Sequence, residues 1–346
     1  MKKNRIQLLV GLLITAVCLY LVFRNIEWKE LWAVLARIRY WWAIPCCLVT
    51  FLSFYFRAIR WTYLLEPIVG ITPRKLFPTL MIGFALNSIL PARAGEFART
   101  YLIARDYKVK FSSVFATLVV ERIVDGIGLL VMFVVILAFV PIGQDLKGEW
   151  KGITIDAVML KPLVQKLLIV CLALLAATIL MLWQPFRQAV HAAIARLPLL
   201  PRKAKDSVSR VIDSFVHGFH SLRSPRLVFW VIVHTATTWL TIGWSLVIMS
   251  YGFPAMHMNM LQSIGVMVTI CIAISIPGAP GYWGLYEAGG ILALKILGVV
   301  PVNDTEQALG FSLFMHFLQT AISTMPGLWF LWRRQVKLAE LTAPHE

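Results

Sequence analysis

The stretches N-S-I-L-P-A-R-A-G-E, residues 87–96, and S-I-P-G-A-P-G-Y-W-G-L-Y-E, residues 275–287, decide how this chain is read. Each interrupts an apolar segment, 78–103 in the first case and 260–297 in the second. Pro91 and Gly95 break the former; Pro277, Gly278, Pro280, Gly281 and Gly284 break the latter. Proline removes a backbone donor and clashes with the preceding turn, while glycine admits conformations closed to other residues, so helices stop or kink here. Inside a bilayer such backbone must be buried in protein or line a cavity, because lipid cannot satisfy the freed N–H and C=O groups. Two breaks at matching positions, each followed by an acidic residue, Glu96 or Glu287, point to a transport site.

Composition sets the solvent. The 346 residues are 59% hydrophobic and 14% charged, with a mean hydropathy of +0.75, which excludes an ordinary soluble domain. Apolar runs near the ~20 residues that cross a bilayer predict full spans at 6–23, 41–63, 113–140, 163–183, 227–249 and 308–332. The expected fold is therefore all-α: one polytopic membrane domain over 1–346, with six full spans and two re-entrant hairpins of half-helices. Eight complete spans is the competing count.

Lys2, Lys3 and Arg5 precede the first apolar run, as in a signal peptide, but its length and the lack of a small-x-small site before Arg24 favour a retained span. All five cysteines, Cys18, Cys46, Cys47, Cys171 and Cys271, lie in apolar runs with no metal-ligand spacing. No metal and no cofactor is called for, and a P-loop is lacking.

The formal net charge of +16 raises nucleic acid as a partner, but its placement argues for a membrane instead. Segment 184–226 carries eight basic residues against two acidic ones, and Arg333, Arg334 and Lys337 follow the last span. By contrast, 141–162 is balanced, 250–259 has no Asp, Glu, Lys or Arg, and 298–307 holds only Asp304 and Glu306. The positive-inside rule puts the first group, and both termini, in the cytoplasm. Four basic residues in 24–40 go against that rule; Trp28, Leu31, Trp32, Leu35 and Ile38 there follow helical spacing and suggest a short interfacial helix. A second amphipathic stretch, Val208 to Leu222, either packs under the bundle or touches anionic lipid. In this topology the hairpins enter from opposite sides, so 41–140 and 227–332 read as halves of an inverted repeat. Their shared sequence is slight, and chance is an alternative.

Charged residues in or beside the apolar segments carry the chemistry: Arg57, Arg60, Arg93, Glu96, Arg99, Glu121, Arg122, Asp125 and Glu287. Each would cost roughly 2.5–3.5 kcal/mol at a lipid-facing helix centre, so they should face the interior or the interface. The bland account is mutual neutralisation, Arg60 with Glu66 and Arg122 with Glu121 or Asp125. The alternative is a ligand, because arginines outnumber carboxylates and the planar guanidinium fork suits phosphate. Helix N-termini after Gly95 and Gly281 could add N–H donors. Glu96 is read with a slight preference as a local cap; Glu287 is left between a cap and recognition of a cationic or hydroxyl-bearing headgroup. Tyr282, Trp283 and Tyr286 either line the cavity or anchor at the interface, the anchor being preferred. His217 and His220 read as a solvated pair, and His234 and His316 as hydrogen-bonded helix contacts.

At these residues the chain resembles the lysylphosphatidylglycerol synthase transmembrane region, also described as a flippase-like domain. The resemblance is carried by R-x-x-R-W at 57–61, L-P-A-R-A-G-E-F-A-R at 90–99, V-E-R-I-V-D at 120–125 and P-G-A-P-G-Y-W-G-L-Y-E at 277–287. It implies a multi-pass protein of the bacterial inner membrane associated with lipid translocation. Lipid-modifying members carry a soluble aminoacyltransferase domain, whereas only Arg333–Glu346 follow the last span here, so lysyl transfer is not expected.

The leading expectation is thus a translocase, not an enzyme, for a phospholipid or other anionic lipid, with Glu121, Asp125 or Glu287 as candidate proton carriers. The runner-up is an integral-membrane enzyme or accessory subunit acting on a lipid-linked substrate, and a third reading is a scaffold. Whether the chain forms a homo-oligomer is left open.

Overall fold

The structure is a computed structural model that describes residues 16–17, 19–24, 26–90, 93–139, 147–150, 153–156, 169, 176, 180, 184–196, 224–254, 256–275 and 280–335. The helices used below are α1 (Trp28–Ala36), α2 (Ala43–Leu65), α3 (Pro73–Ile89), α4 (Ala94–Tyr107), α5 (Phe111–Phe139), α6 (Gln184–Arg196), α7 (Pro225–Ser250), α8 (Met260–Ala273), α9 (Leu285–Ile296) and α10 (Thr305–Arg333). Sequence signals set their starts. Pro73 and Pro225 occupy first-turn positions, where a missing N–H costs no hydrogen bond. Asn259 accepts from Gln262 N–H at 2.8 Å while Gln262 accepts from Asn259 N–H at 3.0 Å, a reciprocal cap on α8. Asp304 accepts from Gln307 N–H at 3.0 Å and starts α10.

Among the described residues, the segments Tyr40–Leu65, Pro225–Ser250 and Thr305–Arg333 are long and apolar enough to cross a membrane. Helix α5 matches them in length at 29 residues but carries Glu121, Arg122 and Asp125. These four correspond to the expected spans at 41–63, 227–249, 308–332 and 113–140. The exposed side chains of the long helices are apolar: Ile44, Leu48 and Leu52 on α2, Val131 and Val134 on α5, Phe229, Ile232 and Trp244 on α7, and Phe317, Met325 and Trp329 on α10. Surfaces this apolar belong against lipid rather than water. The chain is a helical membrane protein.

The two interrupted segments fold as the broken helices that their Pro and Gly residues predict. Helices α3 and α4 have 17 and 14 residues, and α8 and α9 have 14 and 12. At 1.5 Å per residue each falls short of the ~30 Å hydrocarbon core. The order long, short, short, long recurs, as α2 to α5 and as α7 to α10. The most extensive interfaces nevertheless join the two series, α2 to α7 and α3 to α10. Gly327 of α10 permits the second: a Cβ there would lie 2.3 Å from the Met81 carbonyl oxygen.

The all-α expectation misses one feature, an antiparallel hairpin of β1 (Lys147–Trp150) and β2 (Ile153–Asp156) in register Trp150 to Ile153. Its signal is present in the β-branched run Ile153, Thr154, Ile155 after Lys151-Gly152, a two-residue connection with glycine. Segment 24–40 does contain a short helix, α1, with Leu31 buried and Trp28 and Trp32 exposed. The expected spans 6–23, for the most part, and 163–183, the amphipathic stretch 208–222, His217, His220, Cys18, Cys171, Pro91, Pro277 and Gly278 lie outside the described residues.

Candidate functional site

The first break turns on two glycines. A Cβ on Gly95 would lie 1.9 Å from the Gly83 carbonyl oxygen and 2.7 Å from Asn87 Oδ1, so α4 folds back on α3 with backbone against backbone. Arg93, at φ 54° and ψ 36°, begins α4 from the left-handed region. Behind this crossing sits a buried charge cluster. Both nitrogens of the Arg60 fork donate to Asp125, Nη1 to Oδ1 and Nη2 to Oδ2, the latter at 3.1 Å. Arg60 also donates to Thr235 Oγ1 at 3.1 Å and lies 3.4 Å from Glu121 Oε1. That same Glu121 oxygen accepts from Arg99 at 3.1 Å and from Arg122 at 2.5 Å. Arg122 further approaches Asp125 Oδ2 at 3.5 Å and Glu96 Oε1 at 3.8 Å. The Arg99 guanidinium lies 4.6 Å from the ring centre of Trp61, whose Nε1 donates to Thr117 at 3.0 Å. Three helices, α2, α4 and α5, are tied at this point, and α7 joins through Thr235.

Among the described residues, the second break is held without arginine. Gly281 and Gly284 take φ of +73° and +86°, and Tyr282 takes +60°. Glu287 Oε2 accepts from Gly284 N–H at 2.6 Å, satisfying a donor at the start of α9. Its Oε1 pairs with His316 Nδ1 at 2.6 Å, and His316 Nε2 meets the Gly281 carbonyl oxygen at 2.7 Å. One ring of α10 thus bridges the turn and the helix cap. Trp283 and Tyr286 pack on that ring at 4.2 Å and 4.3 Å, and Tyr286 Oη donates to Gln319 at 3.2 Å. The tips approach each other: a Cβ on Gly281 would sit 3.4 Å from the Ser88 carbonyl oxygen.

Between the breaks lies a cavity of about 510 Å³. Its charged lining comes from the first series of helices, Arg57, Arg93, Glu96, Arg122 and Asp125. Phe54, Leu129, Trp239, Ile242, Met267 and Ile270 form apolar wall, and Gly281, Tyr282, Tyr286, His316 and Gln319 bring the second break to the same space. Thr50 Oγ1, Asn87 Oδ1 and Trp239 Nε1, all on lining residues, are buried without a hydrogen-bond partner among the described residues. The arrangement can hold a polar, negatively charged group beside an apolar one.

The expected site residues therefore divide. Arg57, Arg93, Glu96, Arg122, Asp125, Tyr282 and Tyr286 come together at the cavity, whereas Arg60, Arg99, Glu121 and Glu287 lie behind its wall. Arg60 pairs with Asp125 and Glu121, not with Glu66, because α5 rather than the end of α2 faces it. The cap expected of Glu96 is not made: no side chain caps α4, and Glu96 turns to Arg122, while Glu287, left between two readings, is a cap. Tyr286 is buried rather than placed as an interfacial anchor, and Tyr282 lies on the cavity lining. His316 is a hydrogen-bonded contact between elements, as expected. Sequence reasoning missed Phe84, Asn87, Trp239 and Gln319; their places at i−3 of Asn87, at the break, and on apolar helices gave no separate signal.

Comparison with known proteins likewise points to a membrane protein. The family described as "Lysylphosphatidylglycerol synthase TM region" matches residues 8–327. A "UPF0104 membrane protein" of Methanothermobacter thermautotrophicus is 22% identical over 254 residues, 70% of this chain and 72% of that protein. A "Glycosyltransferase AglD" of Haloferax volcanii is 22% identical over 346 residues, 94% of this chain but 54% of the relative, so the chain spans about half of its length. No solved structure matches.

Proposed function

The chain belongs to the lysylphosphatidylglycerol synthase TM-region family, and on that premise we propose that it moves a phosphate-bearing lipid between the leaflets of a bacterial inner membrane. The observation that carries this reading is the cavity at the meeting of two helix breaks, with arginines on one wall and apolar side chains on another. Broken helices around a central site are the arrangement expected where a polar group must traverse hydrocarbon. The headgroup occupies the cavity while the chains stay in lipid, and α3–α4 and α8–α9 act as re-entrant hairpins in an inverted repeat of 41–140 and 227–332.

Charge distribution along α10 supports the orientation. Its start carries Asp304 and Glu306 beside Glu27 and Glu30, and the Glu27 carboxylate, with the others behind it, raises the Glu30 carboxyl above its usual range. Its end carries Arg333 and Arg334, the latter 2.9 Å from Thr79 Oγ1. The basic end and the 184–226 segment are assigned to the cytoplasm.

The test is reconstitution of the full chain in liposomes with a fluorescent phosphatidylglycerol whose outer-leaflet signal is quenched by a membrane-impermeant reductant. Inner-leaflet signal should become reducible with protein present. A rate equal to that of empty vesicles, across phosphatidylglycerol and polyprenyl-linked phosphates, would overturn the reading. The glycosyltransferase name of one relative favours a second reading, an accessory subunit for transfer to a lipid-linked substrate. Co-purification of glycosyl transfer with the chain, without translocation, would select it.

A further inference from the structure

The arginines around the cavity are spent differently, and this identifies the group that holds a ligand, provided that the translocase reading of the cavity is right. Arg60 and Arg99 are buried and committed to Asp125 and Glu121. Arg122 meets Glu121, Asp125 and Glu96. Arg57 stands one turn before Arg60 on α2, and among the described residues no carboxylate comes within ion-pair distance of it or of Arg93; what sets Arg57 apart is its place between two rings. Its guanidinium carbon lies 5.6 Å from the Phe84 ring centre and 5.5 Å from that of Trp239. Aromatic rings attract the cation but accept none of its N–H donors in the manner of an oxygen, so the fork retains donors for a planar pair of anionic oxygens.

Thr50 Oγ1, Asn87 Oδ1 and Trp239 Nε1, without partners among the described residues, are on residues of the same cavity and add donor and acceptor capacity. Buried polar atoms seldom go without partners. Charge makes the ligand an anion. Counting the lining together with the side chains bonded to it, Arg57, Arg60, Arg93, Arg99 and Arg122 stand against Glu96, Glu121 and Asp125, which leaves positive charge in excess. We infer that Arg57 is the anion anchor of the cavity and that it takes a lipid-borne phosphate, on a glycerolipid or on a polyprenyl-phosphoryl sugar. Arg60, Arg99 and Arg122 are the frame that positions it.

Purified full-length protein should bind phosphatidylglycerol more tightly than diacylglycerol, and Arg57→Gln should erase that preference by about tenfold or more, ~1.4 kcal/mol, with the melting temperature unchanged. Arg57→Lys should restore it in part. Competition with a polyprenyl-phosphoryl sugar and with phosphatidylglycerol separates the two lipid sources. An undiminished preference in Arg57→Gln overturns the proposal. Should Arg57→Gln fail to fold, a phosphatidylglycerol with a photoreactive headgroup on the unaltered protein decides: labelling around residues 53–57, 84 and 239 supports the anchor, and labelling confined elsewhere overturns it. Translocation is scored separately. Arg57-dependent binding without movement leaves the anchor standing and defeats the translocase reading; movement unaffected by Arg57→Gln does the reverse.

Discussion

The two breaks solve the same problem with different chemistry. At the first, helix ends are fixed by a lattice of charge, with three arginines sharing Glu121 and Asp125. At the second, one carboxylate and one histidine close the turn with hydrogen bonds to backbone, Glu287 to Gly284 N–H and His316 to the Gly281 oxygen. The difference follows from what each tip must do. The first presents cationic side chains to the cavity, so charges behind them must be balanced in place; the second presents tyrosines and glycine backbone and needs only satisfied donors. Charge lattices are unforgiving, since removing one member strands the rest, whereas a capped turn loses only its own bonds.

This contrast predicts an order of effects. Asp125→Asn strands Arg60 and should lower stability by about 3–5 kcal/mol, seen as loss of monodisperse protein in detergent. A paired Arg60→Leu, Asp125→Leu variant should recover most of it, and failure to recover would mean that Thr235 and Glu121 contribute more than the pair. Next, Gly95→Ala drives a Cβ into the Gly83 carbonyl and should cost on the order of 3 kcal/mol by thermal denaturation; an unchanged midpoint would show that α3 and α4 can separate freely. Glu287→Ala at the second break loses a cap and a side-chain bond, about 2 kcal/mol together. If it destabilises as much as Asp125→Asn, the two breaks are not different in kind. Smallest is Gly281→Ala, which puts a Cβ at φ +73° and 3.0 Å from Trp283 Nε1; about 1 kcal/mol is expected, with a larger effect on lipid movement than on melting.

What the sequence discloses and what it hides divide along similar lines. The spans at 41–63, 113–140, 227–249 and 308–332 are legible because length and apolarity are local properties, and the breaks because Pro and Gly act on their own backbone. Partners are not local. Arg60 and Asp125 are separated by a broken helix pair, and His316 reaches Gly281 from another helix. Nothing in either neighbourhood names the other. Glu96 and Glu287 both follow a glycine break, yet only one turns back to cap, because Arg122 stands beside the first and, among the described residues, no arginine pairs with the second.

The pairing of α2 with α7 and of α3 with α10 has a consequence for how the chain is made. Segments inserted early hold their packing faces against lipid until partners synthesised long afterwards arrive, and Gly327 closes on Met81 only when α10 is in place. Completion of the α3 interface therefore waits for the last helix, and a ribosome-stalled chain that ends before Thr305 presents quality control with an open α3, whatever the integrity of its own charge lattice.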